Sequence, residues 1–123
     1  MSDWENQRLR IKVRVAAAEQ RLEELRRRRA ELAVQPATAR NVQRANQRVL
    51  DAVEHAATAR STAADQLERS AKAHEAAACV HDTAAERAAD RLALIAHVYI
   101  AETHRAGARH DRELASRYLE EAG

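Results

Sequence analysis

Apolar residues recur with a seven-residue period along the first quarter of the chain. The series consists of Trp4, Ile11, Ala18, Leu25 and Leu32, with Val15 and Leu22 between them. Such a heptad is typical of a helix that packs along one narrow seam against a second helix. Ser2 and Glu5 have the spacing of a capping box, which favours a helix start at this point. The pattern therefore predicts a first helix over residues 3–34.

A second apolar stripe follows the only proline. Gln35-Pro36 favours a helix stop, because the residue before proline is pushed out of the α region. The stripe beyond it comprises Val42, Val49, Val53, Ala56, Ala63, Leu67 and Ala71. Folding the chain back at Pro36 brings Leu25 near Val49 and Leu22 near Val53. The sequence thus predicts a long antiparallel hairpin whose second helix covers residues 37–80.

The C-terminal third is expected to form a further helical arm. Thr83 and Glu86 have the spacing of another capping box, so we expect a turn or kink near residues 79–83 and a third helix over 83–121. A helix running on without a break is the alternative. Gly107 is expected to kink the arm. Together these features predict one all-α domain over residues 1–123, a three- to four-helix bundle with coiled-coil-like packing.

One segment of the arm is apolar on all sides. Its large residues are Leu92, Leu94, Ile95, Val98, Tyr99 and Ile100. A segment of this kind must be surrounded on several sides, whereas a single hairpin can cover only one of them. We therefore expect one set to dock on the hairpin and the other to meet a second copy of the chain, most simply in a two-fold homodimer. The centre of a closed four-helix bundle is the alternative.

Composition supports helices and excludes a sheet. The chain is 46% hydrophobic and 33% charged, but only 2% aromatic with no Phe, so its core consists mostly of alanine. Residues 1–50 hold twelve Arg and Lys against six acidic residues, and residues 51–123 hold nine against thirteen. This polarity could attract an acidic partner or favour head-to-tail pairing. With a lone Cys79 and no apolar run near 20 residues, a cytoplasmic location without membrane contact is expected.

Two histidines suggest a metal site. His74 and His81 lie seven residues apart and continue the apolar stripe, so both are predicted to point inward. They could bind a transition metal, or alternatively haem, with further ligands from another helix. Their separation of roughly 10 Å along a helix favours a second interpretation, in which they are polar seam positions that set the register. His97 and His104 have the same spacing but are expected on another, exposed face.

Nucleic-acid binding is the alternative function that the arginines suggest. The candidates are Arg26, Arg27, Arg28, Arg29, Arg40, Arg44 and Arg48. They could meet phosphates along a groove of the hairpin. Four consecutive arginines, however, surround a helix instead of sharing one face, and neighbouring glutamates can pair with them. A solvated, salt-bridged face is the favoured interpretation.

The sequence lacks the motifs of an enzyme. It contains no Gly-rich phosphate loop, no nucleophile elbow and no His-Glu-x-x-His. Cys79, in an Ala/Val context, is expected to be a small packing residue. We therefore predict a non-enzymatic structural or adaptor protein without a cofactor, which associates with itself and could also bind another helical protein.

The stretch from Ser70 to Asp82 contains an Ala/Val-His-Glu/Asp unit that recurs after seven residues. This segment, about a tenth of the chain, resembles small Ala/His-rich helical proteins of high-GC actinobacteria. The resemblance implies no activity.

Overall fold

The part of the chain that the structure describes forms three long helices. A computed structural model describes residues 2–34 and 38–122. The helices are α1 (Asp3–Val34), α2 (Ala39–Glu86) and α3 (Arg91–Ala122), and the described residues contain no strand. The all-α fold is therefore confirmed. α1 has the bounds that its heptad and capping box predict.

Side-chain caps explain where the first two helices begin. Ser2 Oγ accepts a hydrogen bond from the Glu5 backbone N–H at 3.3 Å, as the first capping-box pattern predicts. Thr38 Oγ1 accepts one from the Asn41 N–H at 3.1 Å, so α2 begins at Ala39 instead of residue 37. The predicted stop at Gln35-Pro36 lies outside the described residues.

The predicted break near residues 79–83 is wrong, because α2 continues to Glu86. The Thr83 hydroxyl donates to the Cys79 carbonyl oxygen at 3.2 Å, which is a bond inside a helix and not a cap. The cap of α3 is Asp90, whose Oδ1 accepts from the Ala93 N–H at 2.8 Å. The third helix consequently begins at Arg91 instead of residue 83. Gly107 lies within α3 and has no positive φ.

The chain divides into two compact units that share α2. The first extends to Ala63, and its core is formed by Ala18, Leu22, Leu25, Val49, Ala52 and Ala56. Leu25 and Val49 fall in this one cluster, in agreement with the predicted pairing. The predicted neighbour of Leu22, Val53, is instead 40% exposed. Ala52 and Ala56 occupy the seam because their methyl groups allow the two helices to approach closely, which leaves Val53 on the flank.

The second unit spans Ala64–Glu121 and is an antiparallel pairing of α2 with α3. Small residues form most of its seam: Ala71 and Ala101 are fully buried, and Ala78 and Ala108 nearly so. Leu67 is the largest apolar side chain that is completely enclosed. Such a seam contributes little apolar area per residue, so polar groups occupy a notable share of the interior.

The all-round apolar segment of α3 is exposed within the chain, which corrects the expectation that one of its sides docks on the hairpin. Leu92 is 82% and Tyr99 72% exposed, and Leu94, Ile95, Val98 and Ile100 are also exposed. Between Leu92 and Ala101, the fully buried residue is Ala101, whose methyl group fits a close helix approach, and His97 contacts His81 on α2. The large side chains are therefore uncovered both on the side expected to dock on the hairpin and on the side expected to meet a second copy. Within the described ranges, no helix has an apolar stretch long enough to cross a bilayer.

Candidate functional site

Four histidines meet in the seam of the second unit, two from each helix. His74 Nδ1 on α2 lies 2.9 Å from His104 Nδ1 on α3, and His81 Nδ1 lies 3.0 Å from His97 Nδ1. These distances are those of hydrogen bonds. The antiparallel pairing of the helices explains this geometry. His81 lies seven residues after His74 on α2, and its partner His97 lies seven residues before His104 on α3.

The two pairs form one continuous ladder. The rings of His81 and His104 stack with their centroids 6.0 Å apart and their planes at 19°. Within each pair the centroids lie 5.2 Å apart. An Nδ1 to Nδ1 hydrogen bond needs a proton on one ring and a lone pair on the other, so the two members of a pair must differ at Nδ1. We call these four residues the histidine ladder.

A buried carboxylate extends the ladder at the His74 end. Asp111 is only 2% exposed, and its Oδ2 lies 3.8 Å from His74 Nε2. Gly107, one helical turn before Asp111, creates the room for the ring. A Cβ built on Gly107 would approach His74 Nε2 to 3.2 Å. His74 is only 6% exposed, because it is enclosed by the His104 ring, the Asp111 carboxylate and the backbone of Gly107.

Ion pairs follow the exposed edge of the ladder. Arg105 on α3 contacts Asp82 on α2, and its Nη1 donates to Glu102 at 2.9 Å. The hydrogen bonds that Arg105 donates to Asp82 and Glu102 raise the pKa of its guanidinium above the ordinary value. The Arg105–Asp82 ion pair joins α3 to α2 beside the ladder, whereas the Arg105–Glu102 pair lies within α3.

Arg112 forms the second set of ion pairs. Its Nη2 contacts Glu75 and lies 3.2 Å from Glu68 Oε1. The hydrogen bond from Arg112 holds the pKa of the Glu75 carboxyl below its usual value. Cys79 is exposed in the shallow groove beside Arg105 and Arg112, so the prediction that it is a packing residue is wrong.

The second candidate site is the apolar segment of α3. Its members are Leu92, Leu94, Ile95, Val98, Tyr99 and Ile100, and we call them the α3 apolar surface. From Leu92 to Ala101 the only ionisable side chains are those of His97, which pairs with His81, and Tyr99. A group of exposed large apolar side chains of this kind is typical of a protein-protein contact.

The chain matches no protein-family model, no curated protein and no solved structure. Its function must therefore be argued from the two sites themselves.

The histidines that were singled out as ligands do not meet each other. His74 is buried and His81 half-buried, as the apolar stripe predicts, but each belongs to a different pair. The expectation that His97 and His104 lie on an exposed face is wrong, since both are partners within the ladder. Among residues 2–34 and 38–122, no three His, Cys, Asp or Glu side chains are grouped so that they could hold a metal ion.

The seven arginines of the alternative function all lie in the first unit and are exposed. Arg26, Arg27, Arg28 and Arg29 lie near the end of α1, and Arg40, Arg44 and Arg48 lie in the first turns of α2.

Asp111 and Gly107 were not found from the sequence. A signal for Asp111 exists, because α3 carries polar residues at a seven-residue period: Asp90, His97, His104 and Asp111. The same period in His74 and His81 indicated an interior position. Applied to both helices, it would have joined the histidines into one seam.

Proposed function

We propose that the protein is a non-enzymatic interaction module that pairs with a second copy of itself through the α3 apolar surface. The observation that supports this function is the exposure of six large apolar side chains on less than three turns of one helix. Covering such side chains removes apolar area from water, at about 25 cal/mol for each Å². A surface of this kind supports association instead of chemistry.

Charge complementarity favours a second copy of the chain as the partner. Arg91, Ile95, Val98 and Glu102 are spaced by four, three and four residues, so they form one stripe along α3. The stripe has a cation at its start, an anion at its end and apolar residues between them. Two such stripes match when they run antiparallel about a two-fold axis near residues 96 and 97. Arg91 then lies beside Glu102 of the other copy, and Ile95 beside its Val98.

The opposite charges define an orientation test. Arg91→Glu and Glu102→Arg, each alone, place like charges together at both ends of the dimer. Exposed ion pairs contribute up to about 1 kcal/mol each, so the two pairs predict a roughly tenfold weaker dimer. The combined variant Arg91→Glu/Glu102→Arg should restore dimerisation, as measured by sedimentation.

The control for this test uses the same helix outside the surface. Arg109 and Glu113 are exposed and four residues apart, and the swap Arg109→Glu/Glu113→Arg should leave dimerisation unchanged. If the combined variant at positions 91 and 102 dimerises no better than the single variants, antiparallel pairing is rejected.

Nucleic-acid binding through the seven exposed arginines is the competing function. A binder that depends on phosphate contacts should retard DNA or RNA in a gel and lose the retardation steeply as salt rises. Replacing Arg40, Arg44 and Arg48 by Glu should abolish it, whereas the same charge change at Arg69, Arg109 and Arg117 should not. The self-association proposal expects no retardation of this kind at low salt.

A further inference from the structure

We infer that the histidine ladder is a proton-sensitive lock, which holds α2 and α3 together near neutral pH and releases them as the solution becomes acidic. The inference rests on the seam of the second unit alone and does not depend on the self-association proposed above. It is carried by the two Nδ1 to Nδ1 contacts, at 2.9 and 3.0 Å, and by the position of the rings between the helices, where His74 is buried and the other three are half-buried.

Each histidine pair can hold one extra proton but not two. With both rings neutral, or with one protonated, one Nδ1 donates and the other accepts. When both rings are protonated, neither Nδ1 has a lone pair, so the hydrogen bond is lost. Two positive rings would then lie with their centroids 5.2 Å apart in a partly buried seam, where water screens their repulsion less than in bulk solvent.

The charged groups around the ladder compensate for the first proton and not for the later ones. Asp111 on α3 faces His74 and can balance one positive charge on the His74 and His104 pair. Asp82 and Glu75 on α2 are engaged by Arg105 and Arg112. His81 faces His97 and also stacks on His104, so protonation of one pair raises the cost of protonating the other.

The direction of the pH effect follows from counting protons. An exposed histidine ordinarily binds a proton below about pH 6.5, so the opened state can bind four protons on the ladder. The closed state keeps both hydrogen bonds only if each pair binds one extra proton at most, which makes two protons fewer than in the opened state. Because acidification favours the state that binds more protons, the equilibrium constant for opening should rise as the pH falls. Two excess protons correspond to about 100-fold for each pH unit.

Hydrogen exchange of the full chain tests this lock. The amides of α3 report on opening of the second unit, and the amides of α1 serve as an internal reference. All samples contain EDTA, so that metal binding plays no part. After correction for the intrinsic pH dependence of exchange, the opening constant of α3 should rise by up to about 100-fold per pH unit below about pH 6. Unchanged α3 protection between pH 7 and pH 5, or an equal loss in α1, would overturn the inference.

Two variants separate the ladder from general acid effects. His81→Gln/His97→Gln removes one pair, so the slope should fall to about tenfold per pH unit. His55→Gln/His110→Gln changes two exposed histidines and should keep the full slope. If the first variant does not fold, His97→Gln alone should lower the slope in the same direction. A slope that is unchanged without the His81 and His97 pair contradicts the lock.

Discussion

At the scale of single residues, the bare backbone of Gly107 leaves room for the His74 ring, and this room allows His74 to pair with His104. The missing side chain leaves space that three atoms of the imidazole ring approach to within 3.2 to 3.3 Å of an added Cβ. His74 cannot retreat without lengthening its 2.9 Å contact with His104. Gly107 thus provides packing space for His74 in the middle of α3, although a glycine there weakens the helix.

Gly107→Ala is therefore expected not to stabilise the protein. Alanine in a helix interior is ordinarily worth about 1 kcal/mol over glycine, but here the added methyl group must displace His74. The free energy of unfolding, measured in urea, should stay level or fall. The reverse exchange Ala106→Gly, at the exposed neighbouring position, should cost about 1 kcal/mol. A gain of about 1 kcal/mol in Gly107→Ala would show that the ring and the glycine are not in tight contact.

The inward position of His74 could be predicted, and that of His104 could not. His74 continues a stripe of small apolar residues, which defines the inner face of α2. Between Leu92 and Ala101, by contrast, apolar side chains surround α3, so the sequence gives no indication of which side faces α2. The side of α3 that faces α2 is the one that carries Ala101 and Ala108, whose methyl groups permit close packing. The small size of these side chains, and not their hydrophobicity, decides which side of α3 is buried.

At the scale of helices, the turn between α2 and α3 lies where Asp90 caps α3, and not at Thr83 and Glu86, which have only the spacing of a capping box. Thr83 and Glu86 fit a capping box, but a threonine hydroxyl can also donate to the carbonyl one turn earlier inside a helix. The Ala-rich sequence on both sides of Thr83 favours that second arrangement. Asp90 then caps α3 after a short connection. Local patterns predicted that a turn exists and misplaced it by about two helical turns.

Comparison of two substitutions checks this assignment. Asp90→Ala removes the acceptor of the Ala93 N–H and should lower the free energy of unfolding by about 0.5–2 kcal/mol. Thr83→Ala removes a hydroxyl that caps nothing, and the change should stay within about 0.5 kcal/mol. Urea denaturation of the two variants gives both values. The opposite order, with Thr83→Ala the more harmful, would place the helix start at residue 83 after all.

At the scale of the whole molecule, the apolar residues are unevenly covered. The seams of the two units are filled largely by alanine, while the larger side chains of the α3 apolar surface lie in solvent. The sequence indicated a surface that a second copy would cover, but not that all six side chains would be exposed. The expected docking of one set on the hairpin is wrong, since both sides of the segment are exposed. The side of α3 that is buried carries Ala101 and Ala108, and the six large side chains lie on its other sides.

Sedimentation equilibrium of the unmodified chain at tens of micromolar tests the central claim of self-association most directly. We expect twice the chain mass of 13.8 kDa. Ile95→Glu/Val98→Glu should sediment as a folded single chain. Both side chains are exposed within the chain, so the added charges should prevent dimerisation without disturbing folding. Leu9→Glu/Val13→Glu, a matched exchange on the exposed face of α1, should remain a dimer. A compact single chain for the unmodified protein at this concentration would contradict the account.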